Sequence, residues 1–180
     1  GFAFAAEEKV DYLGVAAVLI RDGNYSRAEK ALENVDLSVE GLDIGRFYTL
    51  KGLVELRNAD NEAALKSFYN AIDSGVEEPV IWAYIAQAHY ALAEYEQTIS
   101  AIDKLPSINQ FPDLYGVKSQ SYWFIDDVKN AFDVIETGIA RFPAKTAFLH
   151  QKIYYLVELD LNQTAVEESL KFLELSGSEN

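Results

Sequence analysis

The chemistry open to this chain is set by two histidines, His89 and His150, and by a complete lack of cysteine. Without thiols there are no disulfides, no thiolate metal sites and no cysteine nucleophile. His89 lies among Ala86, Tyr90 and Leu92, the setting of a packed helix–helix residue. No H-E-x-x-H accompanies either histidine, so a zinc site would need carboxylates gathered from remote segments. The carboxylate pairs Asp126-Asp127 and Glu167-Glu168 read as solvated turns and helix caps in so acidic a chain. No G-x-S-x-G, P-loop or dinucleotide fingerprint is present. We therefore expect no catalytic residues, no metal, no cofactor and no enzyme activity. The two Asn-x-Ser/Thr triplets, at Asn24 and Asn162, are given no role.

Charge narrows the partners. The 180 residues carry a net charge of −14, divided evenly between the two halves, so there is no basic region to hold a phosphate backbone and nucleic acid is not expected. At 49% hydrophobic and 24% charged, the composition is that of a folded domain or a short repeat array. The longest apolar run near the N-terminus, Val15 to Ile20, is far shorter than the roughly 20 residues of a membrane span, so no transmembrane segment is expected. Residues 1–8 form a lead-in. Its Ala3-Phe4-Ala5 before Ala6 resembles the end of a secretory signal, and the competing reading is a plain apolar approach to the first helix. The first reading places the protein in the periplasm or outside the cell, the second in the cytoplasm.

The elements that position these residues emerge from self-similarity. The stretch Asn24–Leu32 returns at Asn61–Phe68, Tyr95–Ile102 and Val128–Ile135, and more loosely at Asn162–Ser169. The small anchors Ala28, Ala64, Thr98, Ala131 and Ala165 lie 36, 34, 33 and 34 residues apart. Upstream of each is a longer apolar-periodic stretch that begins near Tyr12, Tyr48, Trp82, Tyr115 or Leu149. Each copy reads as two helices joined by a short polar turn, such as Asp22-Gly23-Asn24 or Asn58-Ala59-Asp60-Asn61. Pro79, Pro112 and Pro143 mark the restarts. Gly52 is expected to face Ala64, with Phe68 and Ala71 on the following turns, where two helices cross closely.

In length, pairing and anchors the copies resemble the tetratricopeptide repeat family, with its W-x2-L-G-x2-Y, A-x3-F and P pattern. Copy two carries Tyr48, Gly52, Ala64, Phe68 and Ala71. Copy three carries Trp82, Ile85, Ala86, Tyr95 and Ile102, and copy four Tyr115, Ser119, Tyr122, Ala131, Ile135, Gly138 and Pro143. Copy five departs most, with Ile153 where a small residue belongs. The resemblance implies an all-α, right-handed solenoid of about five helix-turn-helix repeats. The expected bounds are a single array at 9–179, with repeats at about 9–44, 45–78, 79–111, 112–145 and 146–179. At the C-terminus either Lys171 to Leu175 caps the stack or further chain follows.

In this family the first helix of each pair lines a concave groove. Carried over by position, the resemblance implies a partner-binding set of Arg21 from copy one and Arg46, Leu53, Leu56 and Arg57 from copy two. Copy three adds Gln87 and Tyr90, copy four adds Gln120, Trp123 and Phe124, and copy five adds His150 and Tyr154. Leu13 and Ala83 fall on the same face. Tyr90 and Trp123 are the aromatics expected to face the groove, whereas Phe124 and Tyr154 have packing between helices as a competing placement. The Lys and Asn clamp of the family's chaperone-tail binders is not matched, since Leu13, Ala17, Leu50, Val80 and Tyr84 stand at its positions. The expected function is a non-enzymatic scaffold or adaptor that binds a peptide or protein segment in an apolar-aromatic groove, in a bacterial envelope complex if the lead-in is a signal remnant. The alternative is a structural module that self-associates into a homo-oligomer through its groove or its C-terminal face.

Overall fold

The computed structural model of the chain describes residues 9–177, with side chains to residue 174. The lead-in at 1–8, and with it the signal-like reading, lies outside the described residues. Among the described residues there are ten α-helices, one short 3-10 turn at Ile108–Gln110 and no strand. The helices are α1 Tyr12–Arg21, α2 Tyr25–Glu33, α3 Ile44–Arg57, α4 Asn61–Asp73, α5 Val80–Ala91, α6 Tyr95–Asp103, α7 Leu114–Phe124, α8 Val128–Arg141, α9 Thr146–Glu158 and α10 Asn162–Gly177. They follow one another as five hairpins, α1–α2 through α9–α10. Pro79 immediately precedes α5, and Pro112 and Pro143 stand just before α7 and α9. Lys171 to Leu175 form part of α10.

All five hairpins turn by the same device. Gly23, Ala59, Ala93, Asp126 and Asp160 adopt left-handed backbone with φ of 76°, 62°, 57°, 62° and 59°. In each, the N–H of the left-handed residue bonds back three residues and the next N–H bonds back five, as in Ala59 N to Leu56 O at 3.1 Å and Asp60 N to Glu55 O at 2.9 Å. This double closure satisfies the last carbonyls of the first helix and reverses the chain. The residue after the left-handed one then caps the second helix in three of the hairpins. Asn24, Asp60 and Asp127 accept from the backbone N–H groups of Arg27, Ala63 and Asn130.

Only one of the five left-handed positions is glycine, although a Cβ there costs about 1–2 kcal/mol. Ala59→Gly is accordingly expected to stabilise the protein by roughly 0.5–1 kcal/mol, because strain relief exceeds the added freedom of the unfolded chain. Gly23→Ala should cost about as much. Thermal melts of the two variants check the pair, and a fall in stability for Ala59→Gly would contradict the argument.

By its packing the chain forms two compact units, Gly1–Ala88 and His89–Asn180. In the first unit, Leu13 and Ala16 of α1, Ala28, Ala31 and Leu32 of α2, and Phe47 and Val54 of α3 make one buried cluster. The hairpin α3–α4 is closed by Gly52, whose missing side chain leaves room for the ring of Phe68. Phe68 is fully buried and stacks on Tyr84 of α5, ring centroids 5.6 Å apart.

The core of the second unit is Tyr115, Ala131, Ile135, Phe148 and Tyr155, drawn from α7, α8 and α9. A chain of hydrogen bonds runs through it. The Ser119 hydroxyl donates to the carbonyl of Ala131 at 2.7 Å, so the Tyr155 phenol 3.0 Å away must donate to Ser119. The Gln151 amide nitrogen in turn donates to the phenol oxygen and to the carbonyl of Gly116. One polar thread thus ties three helices together with every buried group partnered. Lys152 of α9 bridges Glu136 of α8 and Glu168 of α10, at 3.3 and 3.2 Å. Burial opposes the charge on Glu168, yet its pairs with Lys152 and Lys171 outweigh that and hold the carboxyl below its ordinary range.

Candidate protein-binding face

In the second unit, the end of α5, the start of α6 and the ends of α7 and α9 bring aromatic rings together. The Tyr90 phenol donates to the Gln120 side-chain oxygen at 2.6 Å and meets Tyr95 edge-on, centroids 5.9 Å apart. Tyr95 stacks under Phe124 at 4.7 Å. Trp123 lies flat on the buried ring of Tyr155, at 4.3 Å and 12° between planes, with Tyr154 against its edge at 6.4 Å. The adjacent residues Trp123 and Phe124 therefore belong to two stacks, one on α9 and one on α6.

These contacts reverse part of the expected ranking. Tyr90 and Trp123 are half-buried and held by neighbours, whereas Phe124 is 48% and Tyr154 51% exposed. Val157, one turn beyond Tyr154, is also exposed. Burial raises the phenols of Tyr90 and Tyr155 above the ordinary tyrosine range, with neighbouring tyrosines adding to it, so both act as neutral hydrogen-bonding groups near neutral pH. The resulting cluster is aromatic, with the Gln120 amide as a polar component.

The other expected positions have their own local settings. His150 is exposed but turned onto Phe172 of α10, ring centroids 4.2 Å apart, toward the second helix of its own hairpin. In the first unit Arg21 pairs with the neighbouring Asp22 at 3.2 Å, and the Arg57 guanidinium lies 5.3 Å over the ring of Tyr25. Arg46 is exposed beside a shallow recess lined by Asp43, Thr49, Leu50, Ser74 and Glu78. Leu53 and Leu56 are half-buried and Gln87 is exposed on α5. Two residues placed on the binding face by position are instead core. Leu13 belongs to the first unit's cluster, and Ala83 is buried. The helices at these points are covered on more sides than a one-sided groove allows.

His89 is buried as expected, with Nδ1 2.6 Å from a Glu94 carboxylate oxygen. Among the described residues no group of three His, Asp or Glu is placed to hold a metal, and no helix is long and apolar enough to cross a membrane. Two contributors to the face, Tyr95 and Tyr155, were not in the expected set. Tyr95 opens a second helix, and Tyr155 follows Tyr154 on the side of α9 turned to α7 and α8. Their signal in the sequence was only the local density of aromatics.

No protein-family model and no curated protein matches the chain. Solved structures do. The structure titled MamA 41-end from Desulfovibrio magneticus RS-1 superposes with a TM-score of 0.80 at 13% identity, covering 94% of this chain and 95% of that one. MamA MSR-1 gives 0.79 at 13% identity, covering 94% and 97%. A further crystal structure of MamA gives 0.77 at 16% identity, covering 92% and 96%. Identities this low speak to fold alone. The fold is an all-helical, tetratricopeptide-like repeat solenoid.

Proposed function

From a repeat fold built of packed hairpins, with rings left open on one face, we propose that the chain is a non-enzymatic protein-interaction scaffold. Its second unit would hold an apolar segment of a partner protein against Phe124, Trp123 and Tyr154. The observation that carries this reading is the exposure of Phe124 and Tyr154 on either side of the half-buried Trp123. Large rings left in water on a rigid base are what binding surfaces use as anchors, because their contact area comes with little loss of side-chain freedom. Tyr90 and Gln120 supply orientation. Tyr90 holds the Gln120 side-chain oxygen, and the amide nitrogen is then suited to a backbone carbonyl of the bound segment.

The test compares wild type with Phe124→Ala/Tyr154→Ala in pull-downs from a native lysate, retained proteins being identified by mass spectrometry. Both rings are half in solvent, so helicity should match the wild type, and a modest fall in melting temperature from the lost contacts with Tyr95 and Trp123 should leave the protein folded at the assay temperature. A protein held by the wild type and lost by the double variant is the expected result. Equal retention by both would remove the aromatic face from the function.

A further inference from the structure

The junctions between successive hairpins repeat one arrangement, and its two halves also stand exposed on α1 and α10. On the first helix of each hairpin the junction residues are spaced three apart after four. They are Phe47, Lys51 and Val54 on α3, Ile81, Ile85 and Ala88 on α5, Leu114, Lys118 and Ser121 on α7, and Phe148, Lys152 and Tyr155 on α9. Apart from the lysines, all of these are buried. The facing residues on the preceding second helix include Tyr69 of α4, in ring contact with Trp82, and Asp103 of α6, paired with Lys118 at 2.6 Å. On α8 they are Phe132, in ring contact with Tyr155, and Glu136, paired with Lys152.

At the same spacing α1 presents Val15 and Val18, 42% and 46% exposed, above a shallow recess lined by Asp11, Gly14 and Leu19. At the corresponding places α10 presents Val166, Leu170 and Leu173, 59%, 55% and 62% exposed. The two ends also match in polarity. Where internal junctions set Lys118 against Asp103 and Lys152 against Glu136, the ends carry Val15 and Leu170. An apolar residue facing either half of an ion pair would leave a charge desolvated without its partner. Apolar against apolar is satisfied, and burying both removes exposed hydrophobic surface from water.

We propose that α10 of one copy docks on α1 of a second copy, continuing the register of the internal junctions. The occupant of the α10 face is thus the same chain, because that chain carries the complementary half of a junction it already forms four times. The contact is heterologous and leaves one unused end on each partner, so association proceeds past the dimer unless a ring closes. It is separate from the aromatic face and stands whether or not that face binds a partner.

The experiment measures mass by light scattering across a range of concentrations for wild type, Val15→Lys and Leu170→Asp. The positions are surface-exposed, so circular dichroism should show unchanged helicity. Val18→Lys and Leu173→Asp serve as a second pair if either first variant unfolds. Wild type is expected to rise above the 20.1 kDa of one chain with concentration. Each variant alone should stay at that mass. Mixing the two should restore association, since each supplies the intact half the other lacks. A wild type of one-chain mass at every concentration would overturn the proposal. So would a Val15→Lys variant that associates like wild type, which would mark an α10–α10 contact, or a mixture that stays at one-chain mass.

Discussion

Tyr155→Ala should lower stability by about 3–5 kcal/mol, the cost of a large cavity at a buried ring. Tyr155 is completely buried between α7, α8 and α9. Its ring carries the stacked indole of Trp123 and meets Phe132, and its phenol joins Gln151 to Ser119. Tyr155→Phe keeps the ring and removes only the hydroxyl, so it should cost about 1–2 kcal/mol through the donors and acceptors left unsatisfied. Urea unfolding followed by circular dichroism measures both. The variants also separate two contributions to the binding face. The alanine should shift Trp123 emission to longer wavelength as the indole loses its support, and the phenylalanine should leave it nearly unchanged. Equal losses for the two variants would show that the polar thread, not the packing, holds these helices.

Gly52→Leu should destabilise by about 3 kcal/mol, the upper end of what overpacking costs. A Cβ at Gly52 would lie 2.6, 2.8 and 3.0 Å from three carbons of the Phe68 ring. Phe68 cannot swing aside cheaply, because it is fully buried and stacked on Tyr84. Gly52→Ala already meets this contact and should show part of the loss. Pairing it with Phe68→Leu should recover some stability, since neighbours in contact are non-additive. Melting temperatures of the single and double variants test this. An unchanged melting temperature for Gly52→Leu would mean that α3 and α4 do not cross at this point.

The hairpin pattern was legible because each of its determinants is local in sequence. Buried small anchors at Ala28, Ala64, Thr98, Ala131 and Ala165 recur at nearly constant spacing, and a turn of fixed hydrogen bonding follows each first helix. Even the left-handed turn position recurs at that spacing, although alanine and aspartate hide it from a search for glycine. Gly52 was legible for the same reason, since only an absent side chain lets two helices approach that closely. The binding face was legible as a set of candidates but not as a ranking. Trp123 and Phe124 are adjacent on one helix, and their exposure depends on what α9 and α6 bring to each.

Sequence by itself determined the helices, their pairing and the turns between them. Those follow from periodicity, caps and composition, which act over a few residues. Tertiary structure decided that Tyr155 supports Trp123, that His150 turns to Phe172, that Leu13 and Ala83 are core, and that Val166, Leu170 and Leu173 of α10 are exposed. A helix carries side chains on all sides, and only the neighbours that pack against it settle which side meets water.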